Sequence, residues 1–133
     1  VDGVRFGCAL GMESVYPEVF LAYERAGVDC VLFSSHGASA AFGRQVQGHA
    51  SPNSLWVSYA TSCPESAVSA RSGIADVDGT WIAQCADSAE PTIDLADINT
   101  AAENLARPWR RAARANHRNI APLDDPRAAD DAF

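Results

Sequence analysis

Lysine is missing altogether, and all ten basic residues are arginine. Chemistry that needs an amine side chain therefore has no candidate among these 133 residues. No apolar run approaches the roughly 18 residues of a membrane span, so no membrane association is expected. The amino end has neither the basic start nor the apolar stretch of a signal peptide. A chain that opens on Val1 and not on Met reads as a processed or cut piece. Cys8, Cys30, Cys63 and Cys85 show none of the close spacings of a zinc site or a redox dithiol. Cys8 and Cys30 lie inside apolar runs. The expectation is buried free thiols in a reducing cytoplasm, ahead of a disulfide framework or metal ligation. No cofactor and no metal is expected.

What is present suits one ordinary α/β domain. Hydrophobic residues make up 47% and charged residues 20%, close to the globular average, so a buried core is within reach. The net charge of −7 argues against a general nucleic-acid binder, whose affinity comes from neutralising phosphates. The charge is unevenly placed, with five Arg in residues 107–118 and four Asp in 124–131. A nucleic-acid patch is one reading of the arginines. Beside so acidic a tail, a solvated helix face or intramolecular pairing is the expected one, with no nucleic-acid partner.

The pattern along the chain predicts a strand over 4–10, stopped by Gly11. Pro17 then opens a helix over 17–26 that ends at Gly27. Val19, Ala22, Tyr23 and Ala26 share its apolar face, with Glu18, Glu24 and Arg25 opposite and Leu21 among the charges. A second strand over 29–35 has the continuous apolar centre of a strand covered on both faces. Together these make a βαβ unit, whose strands are normally parallel. Residues 36–51 are read as partly helical and broken by Pro52. A third strand covers 55–61, and an exposed loop 63–70. The segments 72–75 and 80–85 flank Asp76-Val77-Asp78-Gly79, a hairpin signal. A last strand is expected over 91–98. A helix capped by Asn99 or Thr100 runs to about His117, kinked near Pro108. The domain is placed at 1–118, with a disordered acidic tail at 119–133.

The segment Phe6-Gly7-Cys8-Ala9-Leu10-Gly11-Met12-Glu13-Ser14-Val15-Tyr16-Pro17-Glu18 resembles the nucleophile segment of the nitrilase superfamily of carbon–nitrogen hydrolases. In that family an apolar strand runs into a Cys, followed by one residue, an acidic residue and a Pro-Glu helix start. The resemblance continues in order through Ala50-Ser51-Pro52-Asn53, the strand after it, Ser72-Gly73-Ile74-Ala75-Asp76-Val77-Asp78-Gly79, Thr92 to Asp97, and the Arg-rich helix with Trp109. It covers nearly the whole chain to about residue 118 and corresponds to the family's C-terminal half. It implies part of an α-β-β-α sandwich with a mixed sheet. It also implies hydrolysis of small-molecule nitriles or amides by a Cys nucleophile, a Glu base and a Lys that stabilises the intermediate.

The departures matter as much. Gly11 stands where the family has its Cys, so that position is vacated. The family's Glu and Lys precede this segment, and no Lys is available to substitute. Met12 keeps the backbone N–H of the oxyanion position. Glu13, Ser34, Ser35 and His36 are the candidate pocket residues, although Glu13 also reads as a carboxylate that caps the turn or pairs with Arg. Cys8 lies three residues back, on the other face and about 10 Å away, so it does not stand in for the missing nucleophile. The expectation is a family member inactive as this chain, with a homo-oligomer or an N-terminal half as partner. The alternatives are a degenerate binding or subunit-pairing module and, further off, a serine hydrolase built on Ser39 with Asp94 or Asp97 and His117.

Overall fold

In a computed structural model the described residues are 1–36, 39–62, 70–88, 90–101 and 106–120, with the backbone alone for 106 and 118–120. Cys63, most of the expected 63–70 loop and the tail beyond residue 120 lie outside them. The element order is β1 (Phe6–Leu10), a 3-10 turn (Gly11–Val15), α1 (Pro17–Arg25), β2 (Cys30–Ser35), α2 (Ala40–Asn53), β3 (Trp56–Thr61), β4 (Gly73–Ala75), β5 (Trp81–Gln84) and α3 (Ala106–Ile120).

The strands form one sheet in the order β1-β2-β3-β4-β5. The first three are parallel, and β3–β4 and β4–β5 are antiparallel. The crossovers through α1 and α2 require the parallel pairs, and the Asp76–Gly79 turn allows the antiparallel hairpin. In that turn Asp76 Oδ1 accepts the N–H groups of Asp78 and Thr80, both at 2.9 Å, and Gly79 supplies φ +80. The mixed α/β sheet is thus the expected fold class.

Side-chain alternation gives the sheet two unlike faces. The rows Gly7–Val31–Val57–Ala75 and Ala9–Phe33–Tyr59–Gly73 point to the same side. With Phe20, Val46, Ala50 and Leu55 from the helices and loops they make the main core. Phe33 stacks on Tyr59 at 5.1 Å and meets Phe42 at 6.2 Å. The rows Cys8–Leu32–Ser58 and Leu10–Ser34–Ala60 point to the other side. There Cys8, Leu10, Leu32, Ser34 and Ala60 are exposed. On this face β2 is covered at its amino end only, where Cys30 packs with Trp56 and Val77, so the expected cover on both faces fails at Leu32 and Ser34. Cys8, expected to be buried, faces solvent, while Cys30 and Cys85 are buried free thiols.

Gly73 marks a close approach within this sheet. A Cβ there would lie 2.6 Å from the carbonyl oxygen of Ala83, a backbone atom that cannot move aside. Gly73→Ala is expected to destabilise the chain by about 1–3 kcal/mol, as overpacking does. Urea unfolding followed by circular dichroism checks this, and an unchanged midpoint would contradict the packing.

Other expectations are corrected by tertiary contacts. β1 begins at Phe6, because Val4 is tied back by its N–H to Val1 O. α1 buries Phe20 and Glu24, while Ala22 and Ala26 are exposed. The reason is that α1 packs against α2 and α3 as well as the sheet. Pro52 does not break α2 but sits in its last turn, where few backbone bonds remain to lose. Residues 91–98 form no strand. Their contacts to β5 use side-chain and loop atoms, such as Gln84 N–H to Asp94 Oδ2 at 3.0 Å, and Ile93 and Leu95 are 90% and 84% exposed. Thr100 and Asn99 do not cap α3, which starts at Ala106. Pro108 falls in its first turn, where a missing N–H costs nothing, so the expected kink has no cause.

Asp29, just before β2, is held ionised. Burial alone would raise its pKa. The Arg5 backbone N–H (2.9 Å) and the Arg107 guanidinium, helped by Arg111, outweigh burial and lower it below the ordinary 3.8. A depressed folded pKa contributes stability above the unfolded value of about 3.9, and that stability disappears as pH falls through the lower folded value. Asp29→Asn is therefore expected to cost stability at pH 7, with the difference vanishing toward pH 3 or below. Urea midpoints of both chains across pH test the sign.

Candidate functional site

Gly11 lies where β1 turns into the first helix. Leu10 is still extended (φ −130, ψ 132), Gly11 takes φ +50, and the chain tightens into the 3-10 turn before Pro17 opens α1. Positive φ is uncommon for residues with a Cβ, and glycine adopts it freely. A Cβ placed on Gly11 would nevertheless meet nothing within 4 Å. The space a side chain would occupy is open.

Three groups pin this turn from behind. Glu13 Oε2 accepts the Leu10 N–H at 2.6 Å, so this carboxylate caps the turn. Ser14 is buried, at 2% exposure. Its Oγ lies 3.2 Å from Gly11 O and 2.9 Å from Gln45 Oε1. One hydroxyl proton serves only one acceptor. Ser14 donates to one of them at a time, and the bond to Gln45 Oε1 is the shorter. His49 Nε2 lies 2.7 Å from Ser14 O, and its ring stacks on Phe20 with centroids 3.9 Å apart. Gln45 and His49 stand four residues apart on α2 and so share one helix face. Sequence reasoning missed this support, and only the i, i+4 spacing of two polar residues hints at it. Ser14→Ala is expected to cost about 1–3 kcal/mol by leaving Gln45 without a partner. Ser14→Thr, which keeps a hydroxyl, should cost less, and thermal melts of the two variants test the difference.

The six residues singled out from sequence do not gather into one pocket. Gly11, Met12 and Glu13 are consecutive in the turn, and Met12 projects outward at 63% exposure. Ser34 pairs with Leu10 in register and is exposed on the open face. Ser35 is buried on the helix side, and His36 is exposed just beyond. Strand alternation thus sends Ser34 and Ser35 to opposite faces. None of the six lines the groove of about 520 Å³ between α1, α2 and α3, which is bounded by Leu21, His49, Asn53 and Arg114. Nor do they line the cleft of about 200 Å³ beside Thr61, Arg71 and Cys85.

The other nucleophile candidates fare poorly. Cys30 is buried, and desolvation pushes its thiol up to about 11 despite a Ser58 backbone hydrogen bond. Ser39 precedes the first turn of α2, whereas His117 lines the groove beside Asn53 at the last turn. Fourteen helical residues separate those ends by roughly 20 Å at 1.5 Å each. Ser39 and His117 therefore cannot form a catalytic pair.

The chain thus has a mixed sheet, with its main core under α1 and α2 and a strand-to-helix turn at positive φ. Its fold is that of the nitrilase superfamily. The carbon–nitrogen hydrolase of Helicobacter pylori superposes with a TM-score of 0.67 at 15% identity, covering 96% of this chain and 50% of that one. Nit3 of Saccharomyces cerevisiae, a member of branch 10 of the superfamily, gives a TM-score of 0.59 at 16% identity over 92% of this chain and 43% of its own. A nitrilase-superfamily amidase from Nesterenkonia gives a TM-score of 0.60 at 20% identity over 90% and 45%. The chain thus spans half or less of the length of these structures. No protein-family profile and no curated protein matches it in sequence.

Proposed function

We propose that this chain is the C-terminal half of a carbon–nitrogen hydrolase-like unit and does not itself hydrolyse nitriles or small amides. The observation that carries this reading is Gly11, which stands in an open strand-to-helix turn at positive φ with no nucleophilic atom. Covalent catalysis needs such an atom to attack the nitrile or amide carbon. Removal of a nucleophile from a working enzyme has cost about six orders of magnitude in rate. Within these 133 residues there is also no Lys to steady a tetrahedral intermediate.

What remains is a pairing module. The open sheet face presents Phe6, Leu10 and Leu32 beside Cys8, Ser34 and Ala60, none of them charged. Such a face favours cover by another sheet, supplied by an N-terminal half or by a second copy of the chain. No helix among the described residues is long and apolar enough to cross a membrane. The test is ammonia release from a panel of nitriles and small amides, with sedimentation velocity on the same sample. Ammonia above the blank would overturn the inactive reading. A monomer at all concentrations would overturn pairing with a second copy of the chain.

A further inference from the structure

α3 is attached to the rest of the chain in an unusual way. A surface helix normally buries apolar side chains spaced i, i+3, i+4, i+7. On α3 those positions are Arg107, Arg110, Arg111 and Arg114. They are the only half-buried side chains over residues 107–117, and Pro108, Trp109, Ala112, Ala113, Ala115, Asn116 and His117 are all exposed. Trp109, the large apolar residue of this stretch, is 70% exposed.

Each arginine has defined partners on other elements. Arg107 pairs with Asp29, and its guanidinium lies 5.0 Å from the centre of the Trp56 ring. Arg110 donates to Val77 O at 2.7 Å and pairs with Asp78 at 3.0 Å. Arg111 donates to Val28 O at 3.3 Å. Arg114 donates to Asn53 Oδ1 at 2.8 Å and Pro52 O at 2.6 Å, and lies 3.6 Å from the buried Glu24 carboxylate. Three of these partners (Asp29, Val28 and Trp56) lie at the amino ends of β2 and β3, so α3 crosses that edge of the sheet as a strap.

The geometry points to α3 being an ionic-strength-controlled strap that undocks from the sheet as a unit while the sheet stays folded. Contacts of this kind respond to salt where apolar packing does not. The screening length falls from about 10 Å at 0.1 M to about 3 Å at 1 M. NaCl does not loosen apolar burial in this way, so an apolar strap would hold in the same salt. The Arg110–Asp78 pair is the more open, with side-chain exposures of 26% and 45%, against 12% and 15% for Arg107–Asp29. Release therefore starts away from Arg107, which lets go last. It uncovers Trp56 and removes the Arg114 wall of the α1–α2 groove.

The test is amide hydrogen exchange, read by mass spectrometry on the whole chain in about 0.1 M and about 1 M NaCl, with sucrose at matched osmolality as control. Exchange over 109–117 is expected to quicken by about tenfold or more in salt, with β1, β2 and β3 unchanged. Asp29→Asn should bring the same release at lower salt. Salt-independent protection of α3 would overturn the inference. So would equal quickening in α3 and the strands, since that is global unfolding. Neither readout involves turnover or pairing, so the strap stands or falls apart from the proposed function.

Discussion

A chain carrying Gly11→Cys, in a Cys8→Ser and Cys63→Ser background, is expected to fold, to react with iodoacetamide, and still to release no ammonia from nitriles or amides. Each part has a separate cause. Folding survives because a Cβ at Gly11 meets nothing within 4 Å. The φ of +50 costs roughly 1–2 kcal/mol for a residue with a Cβ, which lowers the melting temperature by several degrees. Reactivity follows from that open space, while Cys30 and Cys85 are buried and slow to react. Turnover stays absent because a thiol without a general base or an oxyanion-stabilising cation lacks most of the rate enhancement. Loss of a single oxyanion donor alone costs about 100–1000-fold. The measurement is ammonia per chain over hours beside an alkylation time course. Ammonia from the Gly11→Cys chain would mean that the remaining groups suffice and that the inactive reading rests on one residue only. Failure of that chain to alkylate would mean that the position is closed in solution.

The largest stability effect is expected at Phe33. Phe33→Ala should cost about 3–5 kcal/mol, a large share of the roughly 5–15 kcal/mol that holds a typical domain. Phe33 is fully buried at the centre of the sheet's inner face, between Phe42 of α2 and Tyr59 of β3. Truncation removes both ring contacts, and the strands on either side limit collapse into the space. Phe33→Leu, which keeps most of the volume, should cost under about 1.5 kcal/mol. Urea midpoints for the two variants test the ranking. A Phe33→Ala loss below about 1 kcal/mol would show that this face is not the main core.

The order of the elements and the βαβ start were legible in the sequence because they depend on local signals. Pro17 and Gly27 bracket α1, Asp76 to Gly79 make the hairpin, and Gly11 ends β1. The absence of a side chain at the Gly11 turn was legible for the same reason, since a turn residue either has a side chain or does not. The strand expected over 91–98 failed because apolar alternation cannot say whether a neighbouring strand edge is free to accept it. Cys8 failed because the pattern of β1 is the same whether its outer face is covered or open.

The sequence by itself determined the class of fold, the absence of lysine and a glycine at the strand-to-helix turn, all carried by residue identity and short-range spacing. Only the tertiary structure decided which face of the sheet is bare, that Ser14, Gln45 and His49 brace the turn from α2, and that Arg107, Arg110, Arg111 and Arg114 point inward. Their i, i+3, i+4, i+7 spacing is visible in the chain. An arginine stripe becomes a docking face only when carboxylates and backbone carbonyls more than 30 residues away are brought beneath it. Partners at that separation depend on the path of the whole chain, which no local pattern records.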